Sequence, residues 1–335
     1  MNLQRPDISI ILSVYNVEKQ LEKCLRSISN QIFSGTFEII ACEASSTDGS
    51  LALLKTFQTN EPRLKIIEHG TREKVSTSRV RGIKESAGDY IMHVDSDDWL
   101  LPDALEILYK ICLETDADVV VFDYITENHT GKRSLSKHIK KKLITSDKLK
   151  VQHYFYGTGW NKIVKRKINE NMIYGEIEVT VTEDLLYSIE ILLKAGKICL
   201  IPESFYVYFV NTDSLTYSVK EEEYLQNQNV VLIQLQRIIS KYNADLKFTA
   251  NVLNYFEKWI YMQLARLHFL HKEKLAYCSE LVRELFLFPI MTRQRTKRID
   301  LSIKNRYICL LEVTGRLGFR FGVGIFVRSF RRNEI

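Results

Sequence analysis

Three carboxylates fall within four residues at Asp95-Ser96-Asp97-Asp98, directly after the apolar run Ile91-Met92-His93-Val94. Side by side they repel one another, and ending a buried strand on so much negative charge is costly without a cation. A hard divalent cation resolves the conflict, because Mg²⁺ or Mn²⁺ takes oxygen ligands and keeps positions open for water and phosphate. One or two of these aspartates plus a diphosphate is the expected coordination, and such a cation neutralises charge developing on a diphosphate leaving group. The plainer alternative is a solvated acidic turn before a helix near Pro102. A second acidic pair, Glu183-Asp184, follows Thr182. It suits the first turn of a helix capped by Thr182.

The elements that must position these groups read as alternating strands and helices. Ile8 to Val14 is apolar and β-rich; Leu21, Leu25, Ile28 and Ile32 then recur at helical spacing. Strands are expected at 37–42 and 64–67, with capping chemistry for a helix in Ser46-Thr47-Asp48-Gly49. A helix over 75–86, a strand over 90–94, a helix opened by Pro102 and a strand over 118–122 complete the pattern. The basic stretch 127–150 reads as a solvated loop and helix face. Such alternation implies an α/β fold with a Rossmann-like, mostly parallel sheet covered by helices. Ligands of these sheets bind beyond the carboxyl ends of the strands. That rule points to 13–16, 43–45 and 95–98, and two of those three places carry carboxylates. From Glu221 onward the pattern turns helical, which divides the chain into a catalytic domain at 1–217 and a helical C-terminal region at 218–335.

Val94-Asp95-Ser96-Asp97-Asp98-Trp99, preceded by Ala87-Gly88-Asp89-Tyr90-Ile91, resembles the metal-binding segment of inverting family-2 glycosyltransferases of the A-type fold. Ile8 to Asn16 and Glu38 to Ser50 are similar to the same family, and the resemblance spans residues 7–217. It implies an inverting transfer of a hexose-type sugar from a nucleotide-sugar, with UDP as the expected nucleotide, to an acceptor hydroxyl. It implies further that Asp97 is the main Mn²⁺ or Mg²⁺ ligand and that Asp95 lies near the donor ribose and diphosphate. By the same resemblance Ser13, Tyr15 and Asn16 are expected to line the nucleotide pocket with Glu43 as a donor-binding group beside them, and Arg79 matches an arginine of the helix before the metal segment. Asp184 is implied as the base that takes the acceptor proton, supported by Glu183, and Trp160 as a platform for an acceptor sugar. No covalent intermediate is needed, so no nucleophilic Ser or Cys is sought. The chain departs from the family at Ala44, Val80 and Phe209, where Asp, Asn and Arg are usual. These departures motivate a rival reading as a non-catalytic glycosyltransferase-like partner subunit.

Composition narrows the classes further. Hydrophobic residues make up 45% and charged residues 26% of 335, which permits a packed core and argues against wholesale disorder. A net charge of +6 is too weak and dispersed to point to nucleic acid, and it fits polyanionic ligands or an anionic membrane surface. The loop after the first strand lacks the Gly- and basic-rich character that a nucleotidyltransferase uses to cradle a triphosphate. Six Cys without metal-finger spacing suggest buried free thiols in a reducing compartment. With no leader-like start and no run of spanning length, a cytoplasmic location is expected. The stretch Tyr307 to Arg332 mixes aromatic, aliphatic and Arg residues, which suits peripheral contact with an anionic membrane and a glycan or lipid-linked glycan acceptor.

Overall fold

The computed structural model describes residues 5–136, 139, 142–145, 157–176, 178–179, 181–210, 221–244 and 252. The chain divides into two compact units, Met1–Thr249 and Ala250–Ile335, and the second lies almost entirely outside the described residues. The aromatic and basic tail at 307–332 and the helical pattern beyond 244 fall there too, as do Cys278 and Cys309.

The first half of the chain alternates as its pattern requires: β1 (Ile8–Val14), α1 (Glu18–Ser29), β2 (Phe37–Glu43), α2 (Ser50–Gln58), β3 (Leu64–Glu68), α3 (Val75–Glu85) and β4 (Tyr90–Asp95). Leu21, Cys24, Leu25 and Ile28 form the buried stripe of α1 and join Ile8, Ile10 and Leu12 of β1 in the main core. Ile32, expected on the same stripe, is 68% exposed because α1 ends at Ser29. Gln31 takes over the inward role, its amide bonding Leu101 O at 2.6 Å and Leu105 N–H at 3.1 Å. On the other face of the sheet, Gly82 lets α3 approach closely, since a Cβ there would collide with Ile11. Arg79, one turn earlier on α3, is thereby brought to the strand ends.

The remaining described elements are β5 (Trp99–Leu100), α4 (Ala104–Thr115), β6 (Val119–Glu127), β7 (Arg133–Leu135), β8 (Lys142–Thr145), β9 (Lys162–Lys165), α5 (Glu183–Lys194), β10 (Lys197–Phe209) and α6 (Glu221–Lys241). Two 3₁₀ turns, Arg166–Asn169 and Ile173–Glu176, lie between β9 and α5. Helix α4 opens two residues after Pro102, and the basic stretch after 127 carries the short strands β7 and β8 where a loop and helix face were expected.

The strand order is β3-β2-β1-β4-β9-β6-β10-β5, with β7 beside β6 and β8 beside β10. The pairs from β3 to β4 are all parallel, as is β6 with β10, whereas β9 runs antiparallel between β4 and β6. The sheet is therefore mixed: the expectation of a mostly parallel sheet holds for its first half, and short antiparallel strands fill the second. Register aligns Ser13 with Cys42 and Asp95, and Val14 with Glu43, so those residues share the carboxyl edge. Strand β10 is irregular around Pro202-Glu203, as a proline without an N–H demands. After that break Tyr206 and Val207 pair with β5. Cys24, Cys42, Cys112 and Cys199 are buried free thiols. Among the described residues no helix is long and apolar enough to cross a membrane.

Candidate active site

The aspartates after β4 have different environments. Asp98 is fully buried and braces the turn from inside: its Oδ2 accepts the Tyr206 hydroxyl at 2.6 Å and its Oδ1 the Phe209 N–H at 2.7 Å. The same Tyr206 hydroxyl accepts the Asp95 N–H at 3.0 Å. Ser96 Oγ donates to Ser13 O at 2.8 Å and ties the turn to β1. Burial, with Asp97 and Asp95 close by, pushes the Asp98 carboxyl well above its ordinary range. Asp97 is half-buried, and Asp95 keeps 30% of its side chain exposed.

Arg79 connects this turn to the second acidic pair. Its guanidinium is 3% exposed and touches three carboxylates: Asp95 at 2.8 Å, Glu183 at 3.2 Å, and Asp184 in a close contact. The two acidic groups read from sequence thus lie within reach of one guanidinium. Three negative groups around one positive group are undercompensated. Burial, then repulsion from Asp184, raises Glu183 to about 8 against the pull of Arg79. Burial also raises Asp95 to about 6, with Asp184 and Asp97 adding to it against Arg79. His93, 2% exposed and edge-on to Tyr187 at 5.1 Å, is held neutral by burial and then by the charge of Arg79.

The acidic pair opens α5, as expected, but Thr182 does not cap it with its side chain. Thr182 stands in the left-handed region at φ 70°, and its hydroxyl accepts Gln228 Nε2 at 3.1 Å from α6. Further along α5, buried Glu190 accepts the N–H groups of Ile173 and Tyr174 at 2.7 and 2.8 Å and fixes the preceding turn. Gly159 packs against the junction: a Cβ there would lie 2.6 Å from Asp184 Oδ1 and 3.2 Å from Arg79 Nη1. Lys162, buried beside it on β9, donates to Thr158 O and to Asn161 Oδ1 at 2.8 Å. Burial lowers it to about 7, with the Asp184 charge opposing.

Around β1 and β2 the expected pocket residues largely hold each other. Glu43 is 2% exposed, and its two oxygens accept the Ser45 and Ser46 N–H groups at 3.0 and 2.6 Å. Asn16, at φ 51°, accepts the Thr47 N–H at 2.8 Å. The Tyr15 ring carries the Arg72 guanidinium at 4.8 Å. Ser13 Oγ, at the carboxyl edge, has no hydrogen-bond partner. Trp160 is 5% exposed and stacks on Tyr206 and Tyr208, with ring centroids 4.4 and 5.6 Å away. Holding an acceptor sugar on its face would require that stack to open. Of the departures noted above, the Phe209 ring packs on Trp99 at 5.6 Å while its N–H serves Asp98.

The donor set at the turn suits a hard divalent cation: Asp95 and Asp97 offer oxygen atoms where burial, and then neighbouring negative charge, raises Asp95. It is not a closed cage, since among the described residues no three His, Cys, Asp or Glu side chains converge as metal ligands. Water and phosphate oxygens would have to complete the coordination.

Residues 9–173 match the family described as Glycosyl transferase family 2. Glycosyltransferase GlyA of Streptococcus pneumoniae serotype 4 is 29% identical over 221 residues, covering 62% of this chain and 31% of GlyA. The poly(ribitol-phosphate) beta-glucosyltransferase of Bacillus spizizenii is 29% identical over 215 residues, 63% of this chain and 33% of that one. The chain thus spans about a third of the length of both relatives. The crystal structure of S. aureus TarS 1-349 in complex with UDP-GlcNAc superposes with a TM-score of 0.57 at 17% identity, covering 84% of this chain and 89% of that one. At that identity the likeness speaks for the fold alone.

Proposed function

We propose, from the premise that the chain carries a family 2 glycosyltransferase domain, that it transfers a hexose-type sugar from a UDP-sugar to an acceptor hydroxyl, with inversion, in the synthesis of a surface polysaccharide or glycoconjugate. The observation that carries this reading is the junction at Arg79, where one guanidinium contacts both Asp95 and Asp184. In this reading the acceptor oxygen bonds to the anomeric carbon as the bond to the diphosphate breaks. Asp184 takes the acceptor proton, and Glu183 supports it. Asp97 and Asp95 would hold Mn²⁺ or Mg²⁺, which would supply stabilisation of the negative charge on a diphosphate leaving group. Arg79 holds the two acidic groups in one geometry before substrate arrives, which lowers the orientational cost of reaction. Ser13, Tyr15, Asn16 and Glu43 shape the nucleotide side, Asn16 and Glu43 by fixing the loops that Ser13 and Tyr15 border.

The poly(ribitol-phosphate) beta-glucosyltransferase among the relatives favours a polymer acceptor, and TarS, alike in fold, is a protein that binds UDP-GlcNAc, which makes a uridine donor the first to test. The acceptor in this reading is a glycan or lipid-linked glycan met at the cytoplasmic face of a membrane, with the 307–332 tail at the surface. The test is UDP release from UDP-glucose, UDP-galactose and UDP-GlcNAc, each with Mn²⁺, Mg²⁺ or a chelator. One donor should be consumed in a cation-dependent way by the native chain and not by Asp97→Asn or Asp184→Asn. Equal turnover by the variants, or none of any donor by the native chain, would overturn the reading.

A further inference from the structure

Two unfavourable features meet immediately before the acidic pair on α5. Thr182 is β-branched yet adopts φ 70°, a conformation such residues rarely take. Its hydroxyl does not cap α5, so capping does not account for the geometry. Its partner Gln228 is fully buried; Nε2 reaches Thr182 Oγ1 at 3.1 Å while Oε1 has no partner. A strained backbone joined to a half-satisfied buried amide persists only where the surroundings over-determine it, and such features gather at functional sites.

The helix that carries Gln228 also reaches the other elements of the junction. Glu223 pairs with Lys74, the residue preceding α3, at 3.0 Å, and α3 carries Arg79. Arg237 pairs with Glu176 at 2.7 Å in the turn held by Glu190, and the Tyr242 hydroxyl, just past α6, donates to Glu190 itself at 2.9 Å. Helix α6 therefore contacts the start of the arginine helix and both ends of the segment that orients the acidic pair.

We infer that Gln228 is a positioning residue for Asp184: its bond to Thr182 holds that residue in the left-handed conformation and so aims the first turn of α5 at Arg79. The inference rests on Asp184 being the proton acceptor. It gives α6 a part in turnover although none of its described side chains touches Asp184.

The test compares Gln228→Met, which keeps the length and removes the amide, with Thr182→Gly, which accepts φ 70° freely and lacks the hydroxyl. Thr182→Ser, which retains the hydroxyl, is the rescue, and Asp184→Asn the control. UDP release from whichever of UDP-glucose, UDP-galactose and UDP-GlcNAc the native chain consumes gives kcat and KM, and thermal melting reports folding. Misplacing a catalytic group by a fraction of an ångström predicts a kcat lowered about 5- to 50-fold in Gln228→Met and Thr182→Gly. Donor KM should stay within about twofold, and Thr182→Ser near native. In Thr182→Gly the strain that glycine relieves offsets part of the cost of leaving the buried Gln228 amide without its partner, so melting should fall by no more than in Gln228→Met while kcat falls, and activity and stability part company. Native kcat in both variants, or an equal loss in Thr182→Ser, overturns the inference while an inactive Asp184→Asn leaves the proposed reaction standing. An active Asp184→Asn overturns both.

Discussion

The loops after β1 and β2 and the junction around Arg79 share one edge of the sheet but handle negative charge differently. In the loops, carboxylates are met by backbone amides. Glu43 accepts two, and Asp48 accepts the N–H groups of Ser50 and Glu18 at 3.0 and 3.1 Å, while Glu18 returns the contact by accepting the Gly49 N–H at 2.9 Å. The first turns of α1 and α2 thus cap one another. Burial acts to raise the Asp48 carboxyl, but hydrogen bonds from Ser50 and Glu18 outweigh it and leave the group below its ordinary value. At the junction Asp95, Glu183 and Asp184 divide a single guanidinium, and Glu183 rises to about 8. The loops are complete as they stand; the junction remains short of positive charge, the condition of a site that takes up cations or protons during its work.

Four perturbations sharpen or break that contrast. The largest effect is expected from Asp184→Asn, which should lower turnover by about 10²- to 10⁴-fold with unchanged melting if the junction is the site of proton transfer; UDP release measures it, and native turnover would leave the junction a structural ion cluster. Arg79→Met removes the guanidinium that buried Glu183 shares with the part-exposed Asp95 and Asp184 and should cost about 3–5 kcal/mol of stability. Urea unfolding reports that value, and a midpoint near native would mean the carboxylates are compensated elsewhere. Glu43→Ala strands two loop amides and should cost about 1–3 kcal/mol by the same measurement; a neutral result would show that the loop does not depend on its carboxylate.

The smallest effect is a pH dependence. A carboxyl raised in the folded chain binds a proton on folding, so its contribution is full below the unfolded value and lost as pH rises through about 8 for Glu183. Melting temperature in a chelating buffer should therefore climb by a few degrees from pH 8 to pH 6, and Glu183→Gln should flatten that slope. Asp48, lowered in the folded chain, acts the other way and weakens the fold only as pH drops through and below the ordinary carboxylate range. A slope of the same size in Glu183→Gln would assign the titration to another group.

Much of the parallel half was legible because its strands are largely apolar, β-rich runs set between turn residues; Ile8 to Val14 reads as a strand and is one. The short antiparallel strands were not. β9 is four residues with a lysine at each end, and only its seat between β4 and β6 makes it sheet and buries Lys162. The site residues could be named one at a time, since Asp95, Arg79 and Asp184 each sit in a local pattern. Their meeting could not, because Arg79 and Asp184 are 105 positions apart. The same holds for the strut between Tyr206 and Asp98, separated by 108 positions with no periodic signal linking them. Thr182 looked like a helix cap because of its type and place; its actual conformation goes with a partner 46 positions later.

The placement of β9 also governs the order in which the molecule can be made. On the ribosome, strands β1 to β4 emerge with every parallel neighbour they need, so that half can condense early. β6 emerges before the strand that must separate it from β4, and until then it offers an open rim of unpaired amides on that side. The chemistry-bearing cluster is closed by the segment that arrives with and after β9, so a chain halted short of it carries the first aspartates without the groups they face. Misassembly of a nascent chain should therefore concentrate at the β4–β6 gap, in the interval between the synthesis of β6 and of β9.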